Sequence, residues 1–197
     1  MKAPLSIGIL AYHGDVEEHA LATNRAAQNL KIKINIVYIR APKDLKGLSA
    51  LIIPGGESTT MQKLAAQSGI WNDLKKIPFI FGTCAGAIML AKGVEGKTEE
   101  QKTLELMDIE VSRNAYGRQR ESFEQEIKTS LGKLNAIFIR APKILSVGKN
   151  VVTLAELNGE IIACEEKNDD KYYLATSFHP EFSSTLFHEH FLKQIII

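Results

Sequence analysis

Short apolar runs set the rhythm of the first half of the chain. Leu5-Ser6-Ile7-Gly8-Ile9-Leu10-Ala11, residues 34–39, Ala50-Leu51-Ile52-Ile53 and the run that opens at Phe79 are nearly continuous in apolar residues. Such runs fit strands buried on both faces. Between them the pattern becomes helical. Asp15 predicts a helix start with Glu18 as capping-box partner, and the helix continues through Ala20, Ala22 and Ala27 to about Leu30. Pro54-Gly55-Gly56-Glu57-Ser58-Thr59 breaks the third run, and a helix with Met61, Leu64 and Ala65 follows. Strand and helix in alternation predict a parallel sheet covered by helices on both faces.

The second half changes character. Residues 97–102 read as a charged loop, residues 104–112 and 136–139 as strands. Residues 151–157 and 160–165 flank Asn158-Gly159, the signature of a type I′ hairpin. A second hairpin turns at Asn168-Asp169-Asp170 and leads into residues 172–177. An antiparallel layer is therefore added to the parallel core. Residues 184–195 predict a closing helix with Leu186, Phe187, His190, Phe191 and Ile195 mostly on one side. Ile-Arg-Ala-Pro-Lys occurs at 39–43 and again at 139–143, without similarity around it, and reads as coincidence.

Composition narrows the function classes. At 197 residues, 45% hydrophobic and 24% charged, the chain is expected to be one soluble domain, residues 1–197. A net charge of +1 gives no argument for nucleic acid or an anionic membrane surface. No apolar run reaches the length of a membrane span and no signal-peptide pattern opens the chain. Two cysteines, Cys84 and Cys164, make no disulfide framework, so a reduced, cytoplasmic location is the expectation. No close Cys/His cluster suggests a metal.

Phe79-Ile80-Phe81-Gly82-Thr83-Cys84-Ala85-Gly86-Ala87-Ile88 is the stretch with chemistry in it. An apolar strand, a turn with glycines on either side of a cysteine, and a helix make a nucleophile elbow. The helix N-terminus favours thiolate over thiol. A lone cysteine in an apolar segment is also compatible with a small buried hydrophobe. Pro54-Gly55-Gly56-Glu57-Ser58 ends a predicted parallel strand, where open α/β sheets bind ligands. Consecutive glycines there can aim backbone N–H groups at an oxyanion, or form a plain turn. Phe178-His179-Pro180-Glu181-Phe182 follows the last predicted strand. His179 can reach the edge that carries Cys84, with Glu181 to orient it, although a surface His-Pro turn is the simpler reading of that segment alone. His13, His19, His188 and His190 belong to no paired motif, His188 and His190 reading as packing or surface residues; Cys164 reads as a buried structural thiol.

Taken together, Pro54-Gly55-Gly56-Glu57-Ser58, Gly82-Thr83-Cys84-Ala85-Gly86 and His179-Pro180-Glu181 resemble the class I, triad-type glutamine amidotransferases. More narrowly, the chain resembles the glutaminase subunits of pyridoxal 5′-phosphate synthases. That match is carried by Gly14-Asp15-Val16-Glu17-Glu18-His19, Glu57-Ser58-Thr59-Thr60-Met61, Arg113-Asn114-Ala115-Tyr116-Gly117-Arg118-Gln119, Ser122-Phe123-Glu124 and Phe138-Ile139-Arg140-Ala141-Pro142. The resemblance implies a three-layer α/β sandwich with a central mixed, mostly parallel sheet of flavodoxin-like type. It implies Cys84 as nucleophile, His179 as base and Glu181 as its orienter. It implies an oxyanion hole from the backbone N–H groups of Gly56 and Ala85. Gly56, Glu57, Ser58, Arg113, Ile139 and Arg140 would hold L-glutamine. Ammonia would pass to a separate (β/α)8-barrel synthase subunit, and the chain would need no cofactor or metal of its own. The family usually carries Leu-Gln-Gly-Asp where this chain has Tyr12-His13-Gly14-Asp15, and a glycine often follows the leucine where Leu104-Glu105-Leu106 stands.

Two other classes compete. A DJ-1-like or peptidase-like cysteine hydrolase shares the elbow but lacks the combined Gly-Gly-Glu-Ser, Arg-Asn and His-Pro-Glu set. A non-catalytic scaffold of the synthase would not need an intact Cys84, His179 and Glu181.

Overall fold

The computed structural model describes residues 4–97, 101–113 and 122–196. Strand β1 (Leu5–Leu10) leads through helix α1 (Val16–Asn29) to β2 (Ile34–Ile39) and β3 (Ala50–Ile53). Helices α2 (Ser58–Gln67) and α3 (Trp71–Leu74) precede β4 (Phe79–Thr83) and helix α4 (Ala85–Leu90). Eight strands follow: β5 (Ala91–Glu95), β6 (Met107–Ser112), β7 (Ser122–Thr129), β8 (Gly132–Ile139), β9 (Lys143–Val147), β10 (Val151–Leu157), β11 (Glu160–Asn168) and β12 (Lys171–Thr176). A 3-10 turn at Pro180–Phe182 and helix α5 (Leu186–Ile196) end the described chain.

The sheet runs β2-β1-β3-β4-β12-β11-β10-β7-β8. Its first five strands are parallel, and the register turns antiparallel from β11 onward. Strands β5, β6 and β9 form a branch that joins β11 through β9. Strand order reverses between β1 and β3, so the loops after these strands part and leave a crevice at their carboxyl ends.

Period-two alternation builds the layers. Ile7, Ile9, Ile52, Phe81 and Leu174 face one core, shared with Ala20 and Ala26 of α1 and Phe187 and Phe191 of α5. Leu10, Leu51, Ile53, Ile80 and Tyr173 face the other, with Met61 and Ala65 of α2, Leu74 of α3 and Ala87 of α4. Each fully buried side chain of this size is worth about 1.5–3 kcal/mol. Cys164 sits on β11 with no exposed surface, and burial pushes its thiol up to about 12.

Several expectations need correction. The helix after Cys84 is short, ending at Leu90, and residues 91–95 pair with β6. Gly93 and Val94 favour that change, being poor helix formers. Residues 104–106 are irregular, and the strand starts at Met107. On α5 the buried positions are Phe187, His188, Phe191 and Leu192; His190 instead points to Glu165, Nε2 to Oε2 at 2.5 Å. Asp15 does stand at the N-cap of α1, but its side chain makes no capping bond. The type I′ turn is present, with φ of 53° at Asn158 and 80° at Gly159. Residues 114–119 of the family segment lie outside the described residues.

Candidate active site

Cys84 stands between β4 and α4 with φ 49° and ψ −103°. A non-glycine residue there holds strain of about 1–3 kcal/mol, kept only where the surroundings fix it. They do so here: the Cys84 N–H donates to Thr176 O at 2.8 Å, and Cys84 O accepts from Ala87 and Ile88. The flanking glycines are spatial necessities. A Cβ on Gly82 would lie 2.5 Å from the Gly86 carbonyl carbon, and one on Gly86 would lie 2.1 Å from Ile53 O. The helix can therefore begin directly over the ends of β3 and β4.

Strand β12 pairs with β4 through Thr176 and Thr83, so the chain leaving β12 arrives at the same edge. His179 follows, 3% exposed, and its Nδ1 meets Glu181 Oε1 at 2.7 Å; Glu181 is 8% exposed. Burial alone would lower the His179 pKa. The Asp15 carboxylate, the nearby Cys84 sulfur and the Glu181 carboxylate together outweigh it and raise the pKa to about 12. Burial pushes Glu181 up from the usual carboxylate range, against the pull of the imidazolium. Among the described residues none hydrogen-bonds His179 Nε2, and the Cys84 thiol leans on Ile139 O at 3.8 Å. Long or unmade catalytic hydrogen bonds are common before substrate arrives.

The loop after β1 closes over the loop after β3. A Cβ on Gly14 would fall 1.6 Å from Gly55 O, and one on Gly55 would fall 2.2 Å from His179 Cε1. The Glu57 N–H points at His13 Nδ1, 3.4 Å away. Asp15 Oδ2 approaches His179 Nδ1 at 3.1 Å. Among the described residues, Asp15, His179 and Glu181 bring three potential metal-ligand atoms within 4.8 Å of one another. The imidazole N–H already lies between the two carboxylates, an arrangement for sharing a proton.

Behind the pair lies a buried histidine chain that the sequence pattern did not indicate. His19 Nε2 sits 3.4 Å from Glu181 Oε1 and 3.0 Å from Thr83 Oγ1, and His19 Nδ1 sits 2.9 Å from His188 Nε2. Both rings are wholly buried. Burial, helped by the neighbouring His188 and His179, holds His19 well below its ordinary pKa, and burial pushes His188 down to about 3. Both are neutral at pH 7. We assign the proton of His19 to Nε2, facing Glu181 and Thr83, with His188 Nε2–H donating to His19 Nδ1. The opposite assignment would set a lone pair against the Glu181 carboxylate. The sequence signal for His19 was its place at i+4 from Asp15, one helical turn along the same face.

The residues expected around the substrate also converge. Gly56, Glu57, Ser58, Cys84, Ala85, Arg113, Ile139, Arg140 and His179 line one cleft of about 330 Å³ with His13 and Asp15. Arg113 reaches Glu57 (Nη2 to Oε1, 3.3 Å) and donates to Gln101 Oε1, while Gln101 Nε2 meets Ser58 Oγ at 3.3 Å. Glu57 also caps α2, accepting from Thr59 N at 3.1 Å and Thr60 N at 2.6 Å. Burial opposes its charge, but the Thr60 and Thr59 bonds win and lower its pKa. Gly56 has φ 137°, and Arg140 has φ 44°, a second strained position on the cleft. A larger cleft of about 600 Å³ lies beside Trp71, Lys75 and Lys102; Gln101 lines it, but it shares no lining residue with the Cys84 cleft.

Comparison with known proteins identifies the family. Residues 9–197 match the family model described as the SNO glutamine amidotransferase family. The chain belongs to the SNO glutamine amidotransferase family. Its relatives in this family include a Sulfurisphaera tokodaii protein, 48% identical, over 96% of this chain and 98% of the relative. A Thermococcus kodakarensis protein is 41% identical over 98% of this chain and 100% of its own. Both are named pyridoxal 5′-phosphate synthase subunit PdxT. A crystal structure described as a glutamine amidotransferase superposes with a TM-score of 0.83 at 39% identity, over 97% of this chain and 99% of that one. Family and structural likeness thus bear out the expected α/β fold and weigh against the DJ-1-like reading. Among the described residues, no helix is long and apolar enough to cross a membrane.

Proposed function

We propose that the chain, acting as one unit over residues 1–197, hydrolyses L-glutamine to L-glutamate and ammonia through a Cys84 thioester. One observation carries the reading: the strained Cys84 elbow opens into the same cleft as the buried His179–Glu181 pair. When glutamine enters, Cys84 turns from Ile139 O toward His179 Nε2 and gives it the thiol proton. The thiolate attacks the side-chain amide carbon. The N–H of Ala85, at the first helical position and without an intrahelical acceptor, stabilises the oxyanion with that of Gly56. Each such donor is worth about 2.7–4 kcal/mol of barrier. The imidazolium then protonates the leaving ammonia, and water hydrolyses the thioester. Glu181 holds the ring throughout.

The α-groups of glutamine replace an internal pair. Arg113 and Glu57 face each other at 3.3 Å, so the substrate carboxylate can displace Glu57 on Arg113. Ser58, Ile139 and Arg140 complete the cradle. The ammonia is delivered to a separate (β/α)8-barrel synthase subunit that makes pyridoxal 5′-phosphate, in the cytoplasm. The names of the Sulfurisphaera and Thermococcus relatives support that assembly. The triad chemistry is complete without a cofactor in this chain. The test is glutamate production from L-glutamine by the purified chain, alone and with the synthase added. Stimulation by the synthase is the expected result; no glutamate in either case would overturn the reading.

A further inference from the structure

An aspartate at an N-cap ordinarily accepts from the backbone N–H of the second or third helical residue. Asp15 occupies the N-cap of α1 and makes no such bond. Its Oδ2 lies instead 3.1 Å from His179 Nδ1, the nitrogen that already meets Glu181 Oε1 at 2.7 Å. One N–H serves one strong acceptor, and Glu181 alone suffices to fix the tautomer. What the second carboxylate adds is negative charge beside the ring. The backbone is kept bare where the two side chains meet: a Cβ on Gly55 would fall 2.2 Å from His179 Cε1 and 2.9 Å from Asp15 Oδ2. Glu181 is sealed from solvent, whereas the Asp15 side chain is 27% exposed and lines the cleft.

We propose that Asp15 is a second positioning carboxylate for His179, stabilising together with Glu181 the imidazolium that the ring becomes when it carries the Cys84 proton. The proposal rests on the assignment of His179 as the proton carrier of glutamine hydrolysis. The other titratable groups against the ring are Cys84 from the start of α4, Glu181 from the turn after β12, and His19 from α1, which burial keeps neutral. Asp15 enters the balance that raises the His179 pKa to about 12 on the same side as Glu181. The placement also ties His179 to the loop that carries His13 and Gly14, because the Asp15 carboxylate moves with that loop.

The test is Asp15→Asn, which removes the charge but keeps a side chain equally suited to the N-cap. The first readout is the ¹³C NMR titration of His179 in the purified chain with labelled histidine, which needs neither substrate nor partner. The midpoint is expected to fall by about one pH unit or more, the size of effect an opposite charge at this range produces. The second readout is kcat/KM for L-glutamine against pH, with the synthase present. Its alkaline limb is expected to fall by the same amount, with kcat reduced and KM little changed. A variant with unchanged melting temperature and an unmoved His179 midpoint would overturn the proposal. Should Asp15→Asn fail to fold, Asp15→Ser, a neutral N-cap, is read the same way. A shifted midpoint in a chain that releases no ammonia would support the role of Asp15 and sink the glutaminase reading instead.

Discussion

Cys84 combines a strained backbone with a reactive side chain, and the two can be separated. Cys84→Ala leaves the three elbow hydrogen bonds of residue 84 in place, since all are made by the backbone. Ammonia release from L-glutamine should fall by about six orders of magnitude, as for loss of a covalent nucleophile, while binding to the synthase persists. Residual turnover near the wild-type rate, measured by coupled glutamate oxidation, would show that the nucleophile lies elsewhere. Arg113 acts at a different stage. On the proposed reading the substrate carboxylate displaces Glu57 from Arg113, so Arg113→Lys should raise KM by roughly tenfold or more and leave kcat nearly intact. A fall in kcat with unchanged KM would mean that Arg113 acts in the transition state. At this scale the convergence of Cys84, His179 and Glu181 was readable because each sits in a short local motif. Asp15 and His19 were not, because their partners His179 and Glu181 come from the other end of the chain. Asp15 was read as a helix cap, which is its position but not the destination of its carboxylate.

At the level of elements, the site depends on how closely α4 can cross β3 and β4. Gly86→Ala places a methyl 2.1 Å from Ile53 O, a backbone atom with no rotamer to change. The helix must lift, at a cost of about 1–3 kcal/mol, and the Ala85 N–H moves from where an oxyanion would form. Both a lower urea midpoint and a loss of turnover of about a hundredfold are expected. A stability loss with normal turnover would detach the oxyanion role from α4. The strands that frame this crossing were legible, because β1, β3 and β4 are buried on both faces and read as unbroken apolar runs. Strand β5 was not: Ala91-Lys92 continues the helical pattern, and only its pairing with β6 draws the chain out of the helix. Strand β7 hid for the opposite reason. Most of it is exposed or half-buried, with only Ile127 and Thr129 inside, so no apolar run marks it. On α5 the buried face lies at Phe187, His188, Phe191 and Leu192, because His188 Nε2 finds His19 inside while His190 finds Glu165 at the edge.

For the whole molecule, the histidines give stability a slope of opposite sign on either side of their ordinary pKa of about 6.5. His188 is depressed to about 3 and His19 is also depressed, so between pH 6.5 and 3 the unfolded chain binds more protons than the folded one. Their contribution is present above pH 6.5 and is lost as the pH falls. His179 is raised to about 12, so its contribution is complete below pH 6.5 and is lost as the pH rises toward 12. Each unmatched proton changes stability by about 1.4 kcal/mol per pH unit. Two histidines act on the acid side and one on the alkaline side, with Glu181, raised by burial, offsetting part of the acid loss. Urea unfolding across pH 4–10 should therefore show a maximum near neutrality and a steeper acid limb. His188→Gln keeps an N–H donor for His19 Nδ1 but cannot titrate, so it should flatten that limb by about one proton and leave the alkaline limb unchanged. An acid limb of unaltered slope would mean that the buried His19–His188 pair is not what couples this fold to pH.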